Sequence, residues 1–473
     1  MRSLRLAARV AVLAVVALPA TAQSRSAVQE SARTILRELI AINTDHDSGS
    51  TTIAAQAIAK RLIDGGFPAA DVQIIGPATS PKNQNLIARY RGTGKGKPIL
   101  LMAHLDVVTA RRADWSVNPY ELTEKDGFLY GRGTSDQKNG CALLVAALLE
   151  MKREGIVPDR DLILALTAGE ESGADYGGME WLAEEHLDLI KGEFAWNVDG
   201  GDPQLQRGKR IARVVQASEK VYATFALEAT NVGGHSSLPV KNNAITHVAD
   251  ALSRLGRYDF PVHLNEITRG WFAQVAKTEA PQAASDIRSM LSAKPDPRAV
   301  ARLSENPLYN ASMRTTCVAT MLEGGHAENA LPQRAKGTVN CRIIPEEPAA
   351  GVRAALERAV RDTAVHFRSV GAVVPSPPSP LAPAIVGPLR EVTNRFYPGI
   401  PIVPQMETGA TDGLYLRNKG IPTYGISALF LDVDDTRAHG RDERIISVEF
   451  DRAAEYQLAL IKAFVTPNTN TVP

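Results

Sequence analysis

The stretch Lys97-Pro-Ile-Leu-Leu-Met-Ala-His104-Leu-Asp106 decides the fold. Its apolar run, Pro98 to Ala103, has the length of a strand buried on both faces, and it ends in a His-x-Asp pair. The pattern returns twice. Arg160 to Thr167 is a second such run, followed by Glu170 and Glu171, and Glu193 to Val198 is a third, followed by Asp199. Val28 to Ile42, Ile53 to Ile63, Gly140 to Glu154 and Met179 to Glu185 read as helices. Strands alternating with helices argue for a parallel-type α/β domain, in which functional groups gather where the chain leaves the strand ends.

Working outward, Asp71 to Ile75 and Asn85 to Tyr90 read as strands, and Gly92-Thr-Gly-Lys-Gly-Lys97 as a hairpin turn. The latter lacks the spacing of a phosphate-binding loop and precedes a strand instead of a helix. Beyond residue 215 the texture changes. Val221 to Ala229 alternates, Ala244 to Leu255 and Ala349 to Ala364 read as helices, and Thr315 to Leu322 and Ala335 to Ile344 as strands. This β-α-β-β-α-β order predicts a smaller inserted α+β domain with an antiparallel sheet. Residues 257–312, rich in Pro, Arg and Asn, read as irregular, and Pro375-Ser-Pro-Pro-Ser-Pro380 as the hinge back. The expected organisation is a leader over 1–22, a discontinuous α/β domain over 23–215 and 377–473, and the insertion over 216–376.

Arg2, Arg5 and Arg9, the short apolar run Val10 to Leu18 and the small-residue site Ala20-Thr-Ala22 read as a secretory signal peptide, too short to span a bilayer. The expected location is therefore periplasmic or secreted. Removing its three arginines from 53 basic residues leaves 50 against 52 acidic ones. That balance gives no electrostatic reason to expect nucleic acid or an anionic membrane as a partner. Three cysteines, Cys141, Cys317 and Cys341, are too few for a disulfide scaffold, although Cys317 and Cys341 flank one predicted hairpin.

His104, Asp136, Glu171, Asp199 and His439 form a candidate ligand set for two zinc ions. Asp136 lies in the turn Gly131-Arg-Gly-Thr-Ser-Asp136, and His439 in Arg437-Ala-His-Gly440. One carboxylate must be shared between the ions, and the glycine-rich turn makes Asp136 the best bridge. Asp106 is placed to accept the His104 ring N–H that faces away from the metal. Glu170, beside a ligand, is placed to act as general base. No G-x-S-x-G elbow is present, which argues against a serine hydrolase.

In these motifs the chain resembles the zinc exopeptidase family of glutamate carboxypeptidase, aminoacylase, succinyl-diaminopimelate desuccinylase, carnosine dipeptidase and yeast carboxypeptidase S. The resemblance implies the same five metal ligands, with the insertion as a lid or dimerisation domain and a homodimer through it. It further implies that His235, in Gly233-Gly-His-Ser-Ser237, stabilises the oxyanion. By the same resemblance, Asn329, Arg342 and Gly409 contact the substrate, with Arg342 binding the substrate's carboxylate. Ala103, Thr109 and the long 257–312 segment depart from the family pattern, and aspartate at 199 is similar to its dipeptidase and aminopeptidase branches. The implied activity is hydrolysis of short peptides by a dipeptidase or carboxypeptidase-like exopeptidase. Deacylation of N-acyl amino acids is the alternative. A catalytically dead binding protein is a third reading, against which the retained Glu170 argues.

Overall fold

The computed structural model describes residues 24–171 and 175–466; the leader expected over 1–22 lies outside the described residues. Ile99–His104 and Leu162–Thr167 are buried at every position and run parallel, side by side, as two-faced apolar strands must. They stand inside a ten-stranded sheet. Its order is Val72–Ile75, Asn85–Tyr90, Leu162–Thr167, Ile99–His104, Phe194–Asn197, Thr423–Gly425, Lys209–Glu219, Gln204–Gln206 and Leu431–Asp432, with Ile402–Glu407 paired to Lys209–Glu219. The sheet is mixed instead of parallel throughout: Asn85–Tyr90 runs against both its neighbours.

Helices cover both faces. Lys138–Arg153 carries a nearly continuous buried surface and packs against Ala27–Ala41 and Ser447–Val465 over Leu101, Leu164 and Trp196. On the other face, Met179 and Leu182 of Gly178–Glu185 and Leu416 of Gly413–Asn418 close over Leu100, Met102 and Ile163. Segments of the C-terminal part, Thr423–Gly425 and Gly413–Asn418 among them, belong to this sheet and its cover.

The Gly92–Lys97 stretch is not a hairpin turn. Asn85–Tyr90 and Ile99–His104 flank Leu162–Thr167 and do not pair with each other. The stretch instead crosses that strand's end, with Thr93 N donating to Pro158 O at 2.9 Å and Lys95 N to Asp159 O at 2.7 Å.

A second, four-stranded antiparallel sheet has the order Thr316–Gly324, Arg334–Ile343, Val221–Thr230, His366–Val370. Ala244–Leu255 and Ala349–Val360 pack over one of its faces, with Phe225, Leu227, Val248, Val339 and Leu356 in a core of their own. A Cys317–Cys341 disulfide joins its edge strand to the neighbour.

Residues 257–312 are not irregular. They form helices Glu266–Val275, Pro281–Leu291, Pro297–Ser304 and Pro307–Met313. The prolines and asparagines that suggest loop are start signals. Pro281, Pro297 and Pro307 open helices, where a missing N–H costs nothing, and Asn265, Asp296 and Asn306 cap first-turn N–H groups. Trp271, Phe272, Ile287 and Met313 pack on Val214 and Val403 of the large sheet, so this segment of the smaller unit's chain is bolted to the larger one.

The crossings between the two sheets are buried and hydrogen-bonded. Lys220 Nζ donates to Arg314 O at 2.6 Å and to Thr316 Oγ1 at 3.2 Å. Glu219 accepts from Arg417 Nη1 at 2.6 Å and from Ser376 Oγ at 2.8 Å. The expected Pro375–Pro380 hinge is therefore pinned at Ser376.

Candidate metal centre

The chemistry-bearing residues converge because parallel strands deliver their carboxyl ends to one side. His104 is the last residue of Ile99–His104, paired with Thr167, which precedes the Glu170–Glu171 turn. Asp199 follows Phe194–Asn197, in a turn closed by its N–H donating to Asn197 Oδ1 at 3.0 Å. Asp136 lies in the turn before Lys138–Arg153. His439 arrives from the far end of the sequence with φ +61°, in the left-handed region.

Asp136 stands between the two histidines. Its Oδ1 is 3.1 Å from His104 Nε2 and its Oδ2 is 3.1 Å from His439 Nε2. His439 Nε2 also lies 3.1 Å from Glu171 Oε1, and His104 Nε2 lies 4.0 Å from Asp199 Oδ1. Donor atoms of His104, Asp136 and Glu171, and again of His104, Glu170 and Asp199, lie within 4.8 Å of one another. Glu170 and Glu171 thus leave one turn toward different sides of the cluster.

Asp106 departs from the sequence reading. His104 Nδ1 meets the main-chain oxygen of Asp106 at 3.0 Å, while the carboxylate stands 3.8 Å away. That carboxylate instead accepts the N–H groups of Gly169 at 2.9 Å, Glu170 at 3.4 Å and Glu171 at 2.9 Å. Sequence spacing cannot distinguish a residue's side-chain acceptor from its main-chain one.

The charges call for cations. Burial pushes Asp199 up to about 8 against the pull of His104, and pushes Asp202 and Asp412 up to about 7. Burial, then Asp199, raises Glu170 well above the ordinary carboxylate range. Burial opposes protonation of His104, yet Asp136, Asp199 and Glu170 raise it well above its usual value. His439 is pushed up to about 10 by its hydrogen bonds to Asp136 and Glu171. Among the described residues, Asp136, Glu171 and Asp199 have histidines as their only ion-pair partners. A buried excess of carboxylates with imidazole and oxygen donors and no thiolate fits a pair of divalent cations.

The other residues singled out by sequence are not among the donor atoms brought together there. His235 is exposed, on the short strand Gly234–His235 paired with Ala330–Leu331, and its Nδ1 lies 2.7 Å from Ser237 Oγ. Asn329 is beside it, its carbonyl accepting Ser236 N at 3.0 Å. Arg342 stacks over the Tyr222 ring at 4.8 Å, on the second sheet. Gly409 follows Ile402–Glu407, and a Cβ there would meet only Glu407 Cγ, at 4.0 Å. Sequence reasoning missed Asp412, which accepts from Thr167 Oγ1 at 2.9 Å and closes the Thr408–Asp412 motif that supplies Gly409. It also missed Arg132, four residues before Asp136, and Glu443, four residues after His439, because their partners lie more than 300 positions away.

Residues 100–463 match the family model described as Peptidase family M20/M25/M40. The chain is similar to human N-fatty-acyl-amino acid synthase/hydrolase PM20D1, 30% identical over 378 residues that cover 77% of this chain and 74% of the relative. It is similar to probable carboxypeptidase S-like 2 of Dictyostelium discoideum, 27% identical over 393 residues, covering 80% and 74%. Among solved structures, the M20 family metallo-carboxypeptidase Sso-CP2 from Sulfolobus solfataricus superposes with a TM-score of 0.67 at 16% identity, covering 92% of this chain and 99% of that one. Human carnosine dipeptidase 1 superposes with a TM-score of 0.62 at 15% identity, covering 92% and 96%. These superpositions show a common fold.

Proposed function

Because the chain belongs to peptidase family M20/M25/M40, whose members here are metallopeptidases and amidohydrolases, we propose that it is a two-zinc hydrolase of amide bonds. The bond it cuts is one whose leaving amine is an amino acid with a free carboxylate. The observation that carries this reading is Asp136 set between His104 and His439, one oxygen to each. N-acyl amino acids are the preferred substrates and short peptides the second class. The sequence alone favours peptides; the naming of PM20D1 and of the probable succinyl-diaminopimelate desuccinylase of Staphylococcus epidermidis favours the acyl side.

His104, Asp136, Glu171, Asp199 and His439 would hold the zinc ions, which when bound polarise the scissile carbonyl. Glu170, desolvated beside Asp199, takes a proton from the attacking water. The water oxygen bonds to the carbonyl carbon, the C–N bond breaks, and Glu170 returns the proton to the leaving nitrogen. Asp106 fixes the turn on which Glu170 stands. His235 steadies the developing oxyanion, which requires the second sheet to close over the cluster or a second copy to supply the histidine. Arg342, stacked on Tyr222, pairs with the leaving amino acid's carboxylate.

Residues 1–22 direct export, so mature protein from its host should begin near Gln23. The activity is tested by hydrolysis of N-acyl amino acids and dipeptides with zinc-loaded and chelator-stripped protein. Turnover of N-acyl amino acids that vanishes on stripping and returns with zinc is expected. Full activity without metal would sink the reading.

A further inference from the structure

Two loops far apart in sequence meet at one buried ion pair, and we infer that Glu443 and Arg132 are positioning residues of the metal centre, setting its affinity for the cation that Asp136, Glu171 and His439 would hold. The inference rests on the metal reading above and adds to it a reason why these ligands meet.

Glu443 is fully buried, and both its oxygens face the Asp136 turn. Oε2 accepts from Arg132 Nη1 at 2.6 Å and from Gly133 N at 3.1 Å. Oε1 accepts from Ser135 N at 2.6 Å and from Asp136 N at 3.0 Å. One carboxylate therefore holds the main chain of Asp136 itself. Arg132, 2% exposed, completes the clip in the other direction. Its Nη2 donates to Gly440 O at 3.0 Å and approaches His439 O at 3.4 Å, and its guanidinium lies 5.1 Å over the Trp115 ring. Gly131 N adds a bond to Glu443 O at 3.1 Å.

The His439 loop needs such a hold. A non-glycine residue at φ +61° is disfavoured and persists where its surroundings impose it. The carbonyls on either side of that strained conformation's next bond are the ones Arg132 grips. Both clip residues are buried behind the ligands, so they act through the ligands' backbone. His104 and Asp199 come from strand ends of the large sheet and owe their place to it. The two metal positions therefore depend unequally on the clip: the Glu171–His439 side leans on it, the His104–Asp199 side far less. Outer partners of this kind change metal affinity by about 10–100-fold when removed.

The test uses full-length protein with zinc, comparing wild type, Glu443→Gln and Arg132→Lys. Glu443→Gln keeps the shape but turns an NH₂ group toward backbone donors. Arg132→Lys keeps the charge but cannot reach Glu443 and Gly440 together. Graded chelators report release of each ion, and circular dichroism reports the fold of the metal-free form. Wild type should hold two ions. Each variant should keep one near wild-type affinity and lose the other at a dissociation constant about 10–100-fold weaker, with turnover recovering in excess zinc. Release profiles like wild type would overturn the inference, as would equal weakening of both ions in step with a lower apo melting temperature. Unfolding of both variants would make the pair a fold element and overturn it too. Wild-type protein that binds no zinc would instead refute the metal reading itself.

Discussion

At the scale of the residue, two neighbouring glutamates receive different surroundings from one turn. Asp106 holds the N–H groups of Gly169, Glu170 and Glu171, so the turn is rigid and its side chains diverge. Glu171 reaches His439, and Glu170 sits among His104 and Asp199. Glu170→Gln keeps the volume and removes the proton acceptor. It should retain zinc by metal analysis while kcat falls about 10²–10⁴-fold or more, the range for losing a general base. If Glu170→Gln loses zinc while Glu171→Gln stays active, the two roles are exchanged. The cluster is legible in sequence because its members follow apolar runs, where strand ends must lie. The true acceptor on His104 and the Glu443 clip are not legible, since both depend on which atoms meet in space and not on spacing.

At the scale of the element, capping chemistry and loop chemistry use the same residues. A run rich in Pro and Asn reads as loop until the helices it starts are seen, as with Pro281, Pro297 and Pro307. The apolar strands and the long helix Lys138–Arg153 are legible because burial on every side leaves an unbroken apolar run, whose length tells a six-residue strand from a sixteen-residue helix. The disulfide is an element-scale device. Thr316–Gly324 is an edge strand with Val318, Met321 and Leu322 exposed, and Cys317–Cys341 ties it to Arg334–Ile343. Replacing both cysteines by alanine removes a cross-link over 24 positions and should cost about 2–4 kcal/mol of stability. Thermal melts should show the loss while zinc content stays at the wild-type value, because the proposed ligands lie at the ten-stranded sheet and its loops and not on the four-stranded one. Zinc lost in parallel would contradict that separation.

At the scale of the whole molecule, the two larger sheets have separate cores; the candidate metal cluster lies at strand ends of the ten-stranded one, and His235 lies on a two-stranded ribbon with Ala330–Leu331, joined in sequence to the four-stranded one. The exposed His235 sits among exposed apolar neighbours, Val232 at 95% and Leu238 at 76%. A histidine so placed contributes to chemistry only if its surface meets a cluster, its own or that of a second copy. The pinned crossings at Lys220 and Ser376, and the helices bolted to Val214 and Val403, restrain a wide swing of the second sheet within one chain. Supply from a second copy is accordingly the favoured proposal. His235→Ala should leave zinc content and fold intact and cut kcat strongly. Mixing it with Glu170→Gln subunits should then restore partial activity, because some hybrid sites hold both wild-type groups. Subunit exchange demonstrated by mass spectrometry without recovered turnover would place the histidine's action within its own chain, and a fully active His235→Ala enzyme would remove it from the mechanism.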